Sequence, residues 1–218
     1  MSNLYAKIFL LVTFPLILGF TACKIRPIKF PDMVNQVKCG YFHTCSITIA
    51  GRPYCWGLNQ DGQLGVGDTL SRNIKIGIGF LGTSITSGEA HSCALNSGRE
   101  VLCWGDNQFG QLGDGTNNSS NMPVEVALDD SDSIILISAG ANHTCALNKN
   151  GTVKCWGLNR NGQLGDGSNF DSNVPVKVFG LSQVISISAG GAHTCALTQS
   201  GAVKCWGKNN RGQLGHGT

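Results

Sequence analysis

From residue 134 the chain reads I-I-L-I-S-A-G, then H-T-C-A-L, then V-K-C-W-G: three short runs of apolar, β-branched and aromatic residues separated by polar, Gly-containing breaks. Nearly the same text returns at 184–215, and two weaker copies precede it. The first cysteine of each H-T/S-C triplet, Cys45, Cys93, Cys145 and Cys195, phases the copies at steps of 48, 52 and 50 residues. A fourth run of the P-V-x-V type (Pro123–Val126, Pro175–Val178) completes a set of four strand candidates per copy, with Ile135–Gly140 and Ile185–Gly190 as the first of them. Runs this short, bounded by turn residues and repeating at about 50 residues, predict four-stranded antiparallel units in an array. The fold class expected is therefore all-β, a propeller-type array of about four blades, at about 35–83, 84–133, 134–183 and 184–218.

The linkers Asn148-Lys149-Asn150-Gly151 and Thr198-Gln199-Ser200-Gly201 suit the positive φ angles of hairpin turns, so H-T-C-A-L and V-x-C-W-G are expected to pair. Within each copy the two cysteines stand ten residues apart. Folding each hairpin about its midpoint sets Cys45 opposite Cys55, Cys93 opposite Cys103, Cys145 opposite Cys155 and Cys195 opposite Cys205. In an exported chain such pairs read as disulfides. Cys39 has no partner in its own copy and is expected either as a buried free thiol or paired elsewhere. A rival reading gives His143, Cys145 and Cys155 to zinc, but no fourth ligand recurs and no metal or cofactor is expected. A Cys/His nucleophile in four equivalent copies is not the pattern of catalysis, and no catalytic residue is assigned. The histidines at 43, 91, 143 and 193 read as buried hydrogen-bonding groups. The tryptophans at 56, 104, 156 and 206, facing away from their neighbouring cysteines, read as filling between blades.

Charge changes the picture mainly at the N-terminus. Lys7, Lys24, Arg26 and Lys29 precede the first acid, Asp32, leaving 12 cations against all 13 acids in the remainder of the 218 residues. That near-neutral balance lacks the basic stripe that nucleic-acid binding requires. Lys7 leads into an apolar run from Ile8 to Phe20, too short to span a bilayer comfortably and suited to a signal peptide at 1–22. Phe20-Thr21-Ala22-Cys23 resembles a bacterial lipobox, with phenylalanine for the usual leucine. It predicts cleavage before Cys23, acylation of Cys23 and a membrane-anchored protein of the cell envelope, with simple secretion as the alternative. Residues 23–34 then form a tether. Its Pro27-Ile28-Lys29-Phe30 resembles the P-V-x-V strand absent from the fourth copy. A closed ring, an open arc, a pair of chains and a piece of a longer, seven-bladed propeller all remain open.

The runs S-A-G-x-x-H-T-C-A-L, G-x-V-K-C-W-G and N-x-x-G-Q-L-G-D-G, spread over about 35–218, resemble the repeat of the regulator of chromosome condensation family, whose best-known members are seven-bladed propellers. The family includes a nuclear exchange factor for a small GTPase and a secreted β-lactamase inhibitory protein, so the resemblance implies a scaffold more firmly than a task. The expected function is a non-enzymatic, exported, membrane-tethered scaffold for a protein partner. The alternatives are a GTPase exchange-factor-like regulator and an envelope enzyme or lectin. The candidate interaction residues lie where the copies differ: the acidic cluster Asp129, Asp130 and Asp132, and the loop cations Arg72 and Arg160, which read as isolated.

Overall fold

Fifteen strands and no helix make up the described part of this computed structural model, residues 33–129 and 132–217. Cys23, the apolar N-terminal run, the Pro27–Phe30 segment and Asp130 lie outside the described residues. The first sheet joins β1 (Val34–Cys39), β2 (His43–Thr48), β3 (Pro53–Gly57) and β4 (Arg72–Gly77) in chain order. The second joins β5 (Gly82–Ser87), β6 (His91–Asn96), β7 (Val101–Gly105) and β8 (Ser120–Glu125), and the third β9 (Ile134–Ala139), β10 (His143–Asn148), β11 (Val153–Gly157) and β12 (Ser172–Lys177). The fourth holds three strands, β13 (Val184–Ala189), β14 (His193–Thr198) and β15 (Val203–Gly207). Every pairing is antiparallel between chain neighbours, as the short turn-bounded runs predict.

The expected hairpin is present in each copy. Cys145 pairs with Cys155 and His143 with Gly157, and the other three copies repeat that register. The facing cysteines, with Cα atoms 4.1 Å apart, are bonded as Cys45–Cys55, Cys93–Cys103, Cys145–Cys155 and Cys195–Cys205. The loop-entropy account gives each ten-residue closure at most about 3 kcal/mol. Those bonds leave the sulfurs unavailable to zinc, and no cluster of three potential ligands occurs among the described residues. At the hairpin turn Gly51, Gly151 and Gly201 take φ of 76–82°, and in the second blade Arg99 takes the same place at 72°. The outer strands start earlier than their P-V-x-V text, at Ser120 and Ser172, and Pro123 and Pro175, whose nitrogens cannot donate, are tolerated there because each lies in an edge strand.

The core sits between blades rather than within them. Each blade has a leading face toward the blade before it and a trailing face toward the blade after it. Along β2 the residues alternate strictly: His43, Cys45 and Ile47 point to the trailing side, Thr44 and Ser46 to the other. Cys45, Ile47, Cys55, Leu64 and Ile78 of the first blade pack on Ile85, Ala94 and Trp104 of the second. Equivalent residues build the second junction around Trp156 and the third around Val184, Ile187 and Ala196, with Trp206 half-buried beside them. The opposite orientation of cysteine and tryptophan thus places a disulfide and an indole on the two sides of every junction.

Candidate functional site

The repeated letters converge at these junctions. The Gln63 carbonyl, in the corner after β3, accepts from the Trp104 indole at 2.9 Å and from the Ser92 hydroxyl at 3.1 Å. His43 Nε2 lies 2.8 Å from that same hydroxyl. Since the hydroxyl spends its one proton on the carbonyl, it accepts from the ring, which fixes the Nε2–H tautomer. The same set recurs with His91, Thr144, Gln111 and Trp156, and again with His143, Thr194, Gln163 and Trp206. The Nδ1 atoms of His43, His91 and His143 are buried without a partner. Burial pushes His43 and His143 down to about 4; His91, buried between the other two, is pushed to about 3. These histidines are neutral clamps, not catalytic bases, and the expected buried hydrogen-bonding role is what the structure shows for them.

The glycine of S-A-G-x-x-H has a defined reason. A Cβ on Gly140 would fall 2.2 Å from the His143 ring and 2.4 Å from the Gly190 carbonyl, so only glycine lets the ring fold back and the next blade approach. Just beyond it the blades are also linked through their backbones. Tyr41 N donates to Glu89 O, Glu89 N to Ala141 O, and Ala141 N to Gly191 O, at 3.0–3.3 Å.

That linkage defines one end of the array. The G-x-x-H loops meet the corners that follow β3, β7, β11 and β15, with Leu58 N bonded to Phe42 O, Asp106 N to Ala90 O, Leu158 N to Asn142 O and Lys208 N to Ala192 O. Each corner is held by its asparagine: Asn107 Oδ1 accepts from Leu112 N, and its Nδ2 reaches Thr116 O and Asn118 O. Asn159 does the same for its own loop. On this frame the unrepeated side chains project. Tyr41 and Phe42 are exposed and in edge contact at 4.4 Å. Exposed Asp61 and Glu89 belong to the first two blades; exposed Arg160, Lys208 and Arg211 belong to the last two. The rim thus carries charges of both signs, around a recess of about 490 Å³ lined by Cys39, Tyr41, Glu89, Ala141 and Gly191.

The structure separates the residues singled out from sequence. Arg72 and Arg160 lie at this corner end, Asp129 and Asp132 at the opposite, hairpin end. Neither arginine is isolated. Arg72 is ion-paired to Asp68 at 2.5 Å and bonded to Leu70 O, because its loop folds back onto Asn59. Arg160 lies 5.7 Å from the centroid of the Phe109 ring on the preceding blade. The acidic cluster is partly neutralised: Lys154 bonds Asp129 at 2.7 Å and also Asp132, which is nearly buried. Cys39 is a free thiol and exposed, not buried, since β1 has no blade ahead of it among the described residues. The rim residues Tyr41, Phe42, Asp61, Glu89, Lys208 and Arg211 escaped the reading of the long loops. Their signal was the pair of positions inside G-x-x-H and N-x-x-G, and for Lys208 the position between C-W-G and N-x-x-G, which change from copy to copy while both flanks stay constant.

The sequence profile described as "Regulator of chromosome condensation (RCC1) repeat" matches residues 50–95, 100–147 and 150–197, and a second profile of the same description matches 34–63, 83–111, 134–163 and 184–213. Among curated proteins, the ultraviolet-B receptor UVR8 of Arabidopsis thaliana is 32% identical over 69% of this chain and 35% of its own length. The probable E3 ubiquitin-protein ligase HERC4 of Rattus norvegicus is 38% identical over 68% of this chain and 14% of its own length. The chain therefore spans about a third or less of these relatives. Of solved structures, human WBSCR16 superposes with a TM-score of 0.81 at 29% identity, covering 89% of this chain and 52% of that one. Prp20p of Saccharomyces cerevisiae, studied for its binding to Gsp1p and histones, superposes at 0.78 with 26% identity, covering 88% and 49%.

Proposed function

Because this chain belongs to the regulator of chromosome condensation (RCC1) repeat family, we propose that it is a non-enzymatic scaffold that binds a protein partner through the corner rim. The observation that carries this reading is the segregation of side chains. The recurring His43, His91 and His143, their hydroxyl partners and the corner asparagines are spent on holding blades or corners together, while Tyr41, Phe42, Asp61, Glu89, Arg160 and Arg211 stand on a rigid, backbone-linked frame. Tyrosine and arginine on a pre-organised surface are the residue types that dominate protein–protein recognition, and the two-signed rim suits a partner of complementary charge pattern. A partner-binding role is also consistent with Prp20p, a relative studied for its binding to Gsp1p and histones.

The test is cross-linked capture of a partner by three proteins: the wild type, the rim variant Tyr41→Ser/Phe42→Ser, and the opposite-end variant Asp129→Ser. The rim variant is expected to lose the partner at least about tenfold while the opposite-end variant keeps it. Equal capture by all three would sink the rim as the site. We further place the protein outside the cytosol, tethered by acylated Cys23. The basic-then-apolar leader, the lipobox-like Phe20-Thr21-Ala22-Cys23 and four disulfides support that placement. Metabolic palmitate labelling should mark the wild type and disappear in Cys23→Ser; label retained by that variant would remove the tether.

A further inference from the structure

The corner of the third blade, residues 158–163, is bordered by donors that meet no acceptor. Arg160 is exposed, and its guanidinium lies 5.7 Å from the centroid of the Phe109 ring on the second blade. Among the described residues that guanidinium makes no ion pair. The ring steadies the cation but brings no oxygen to its fork of five N–H donors, whose geometry matches a carboxylate. Both sides of the contact are held by their own loops. Phe109 N donates to Gln111 Oε1 at 2.9 Å, and Asn117 Nδ2 ties down Gln108 O at 3.0 Å. In the third corner Asn161 N donates to Gln163 Oε1 at 2.9 Å and Gly162 N to Asn159 O at 2.7 Å.

Lys208 borders the same corner from the fourth blade. The position before a corner asparagine lies close to the corner of the preceding blade, as Asp61 and Asp106 show: burial and the Asp106 charge hold the Asp61 carboxyl above its ordinary range. Lys208 occupies the Asp106 position one junction further on, is exposed, and makes no ion pair among the described residues. Beneath the corner, Gln163 Nε2 is buried without an acceptor among the described residues, whereas its counterpart Gln111 Nε2 donates to Asp106 at 2.7 Å. Leu158 stands where that acid would be. The acids that the third corner does own face its own loop: Asp166 accepts from Ser168 N and Asn159 Nδ2, and Asp171 from Asn159 N. Both junctions concerned, second to third and third to fourth, are made within the chain.

We propose that the third corner seats an acidic segment of the protein partner, one carboxylate on the Arg160 fork and a second on Lys208. The inference rests on the corner rim being the docking surface and adds what the partner presents there. A guanidinium already steadied on a ring loses less freedom on binding than a mobile one, and its bonds to a carboxylate are charge-assisted. The same rim positions of the first two blades carry Asp61, Glu89 and Asp106, which repel such a segment and so fix where along the rim it lies. A nucleic acid is disfavoured, because two cations beside three acids do not make the basic stripe that a phosphate backbone needs.

The experiment titrates the full chain into dye-labelled hexaglutamate at about 50 mM salt and reads the anisotropy. Wild type is expected to bind. Arg160→Gln should weaken binding at least about tenfold and Lys208→Gln about threefold. Phe109→Leu leaves every charge in place and should still cost about threefold, an effect that attraction by net charge alone does not produce. Lys149→Gln, which removes an exposed cation at the hairpin end, should bind as the wild type does. Hexaglutamate that ignores the wild type, or that binds Arg160→Gln as tightly, overturns the proposal. So does an equal loss in Lys149→Gln, and so does tighter binding of labelled hexalysine or of a labelled oligothymidylate. Adding Arg160→Gln to the partner capture separates this inference from the rim reading. A partner lost by Tyr41→Ser/Phe42→Ser but kept by Arg160→Gln overturns the acidic seat and leaves the rim in place; one kept by both removes the rim as well.

Discussion

Lowering the pH from 7 to 4 is expected to unfold the blades cooperatively, with stability falling from about pH 6.5 and levelling off only below about pH 4. The sign follows from the clamp histidines. In the unfolded chain each titrates near 6.5, while in the folded chain burial holds His43 and His143 at about 4 and His91 at about 3. Above 6.5 both states are neutral and the clamps are intact. Between 6.5 and 4 only the unfolded chain takes up protons, so folding loses stability with each unit of acidification. Each group contributes about 1.4 kcal/mol per pH unit at its steepest, and the three together about 4. Over the window that is comparable with the whole stability of a domain, about 5–15 kcal/mol. Urea denaturation at steps between pH 7.5 and 4 measures it. His143→Gln keeps an N–H for Thr194 but cannot titrate, so it should flatten the slope by about a third. A stability that is the same at pH 7 and at pH 4.5 would show that the clamps do not hold the blades.

Trp156→Ala is expected to be the most damaging single substitution at neutral pH. The ring is fully buried between the second and third blades and its N–H is bonded to Gln111 O. Truncating a buried tryptophan costs about 3–5 kcal/mol in lost contact and residual cavity. The Gln111 carbonyl keeps only the Thr144 bond, which adds about 1 kcal/mol. Trp156→Phe, which retains most of the apolar area, should recover more than half of the loss, and Trp206→Ala, at a half-buried site, should cost less than Trp156→Ala. Chemical denaturation midpoints order the three. If Trp206→Ala proved the most costly, the core would not lie between blades as described.

The hairpins were legible because two signals agreed: turn residues at a fixed place between two short runs, and two cysteines equidistant from the midpoint of each hairpin. From those, the register of Cys145 with Cys155 follows. What joins one blade to the next was not legible. The histidine's partner is a hydroxyl about 50 residues on, and the group both serve is the backbone carbonyl of Gln63, Gln111 or Gln163, which no side-chain letter announces. Position within the array misled the reading of Cys39. Its equivalents Ala139 and Ala189 lie inside the series of blades, whereas β1 stands at its edge. Arg72 and Arg160 looked isolated because their partners, Asp68 and Phe109, become neighbours only once the corners fold back and the blades stack.

The relay from Tyr41 through Glu89 and Ala141 to Gly191 is made wholly of main-chain atoms, and tyrosine, glutamate, alanine and glycine all serve in it equally well. A frame indifferent to its own side chains can be redecorated by point substitution, with no insertion and no cost to folding. Recognition in such an array can drift quickly while its architecture stays still, so specificity here is better sought by exchanging those few letters than by transplanting whole blades.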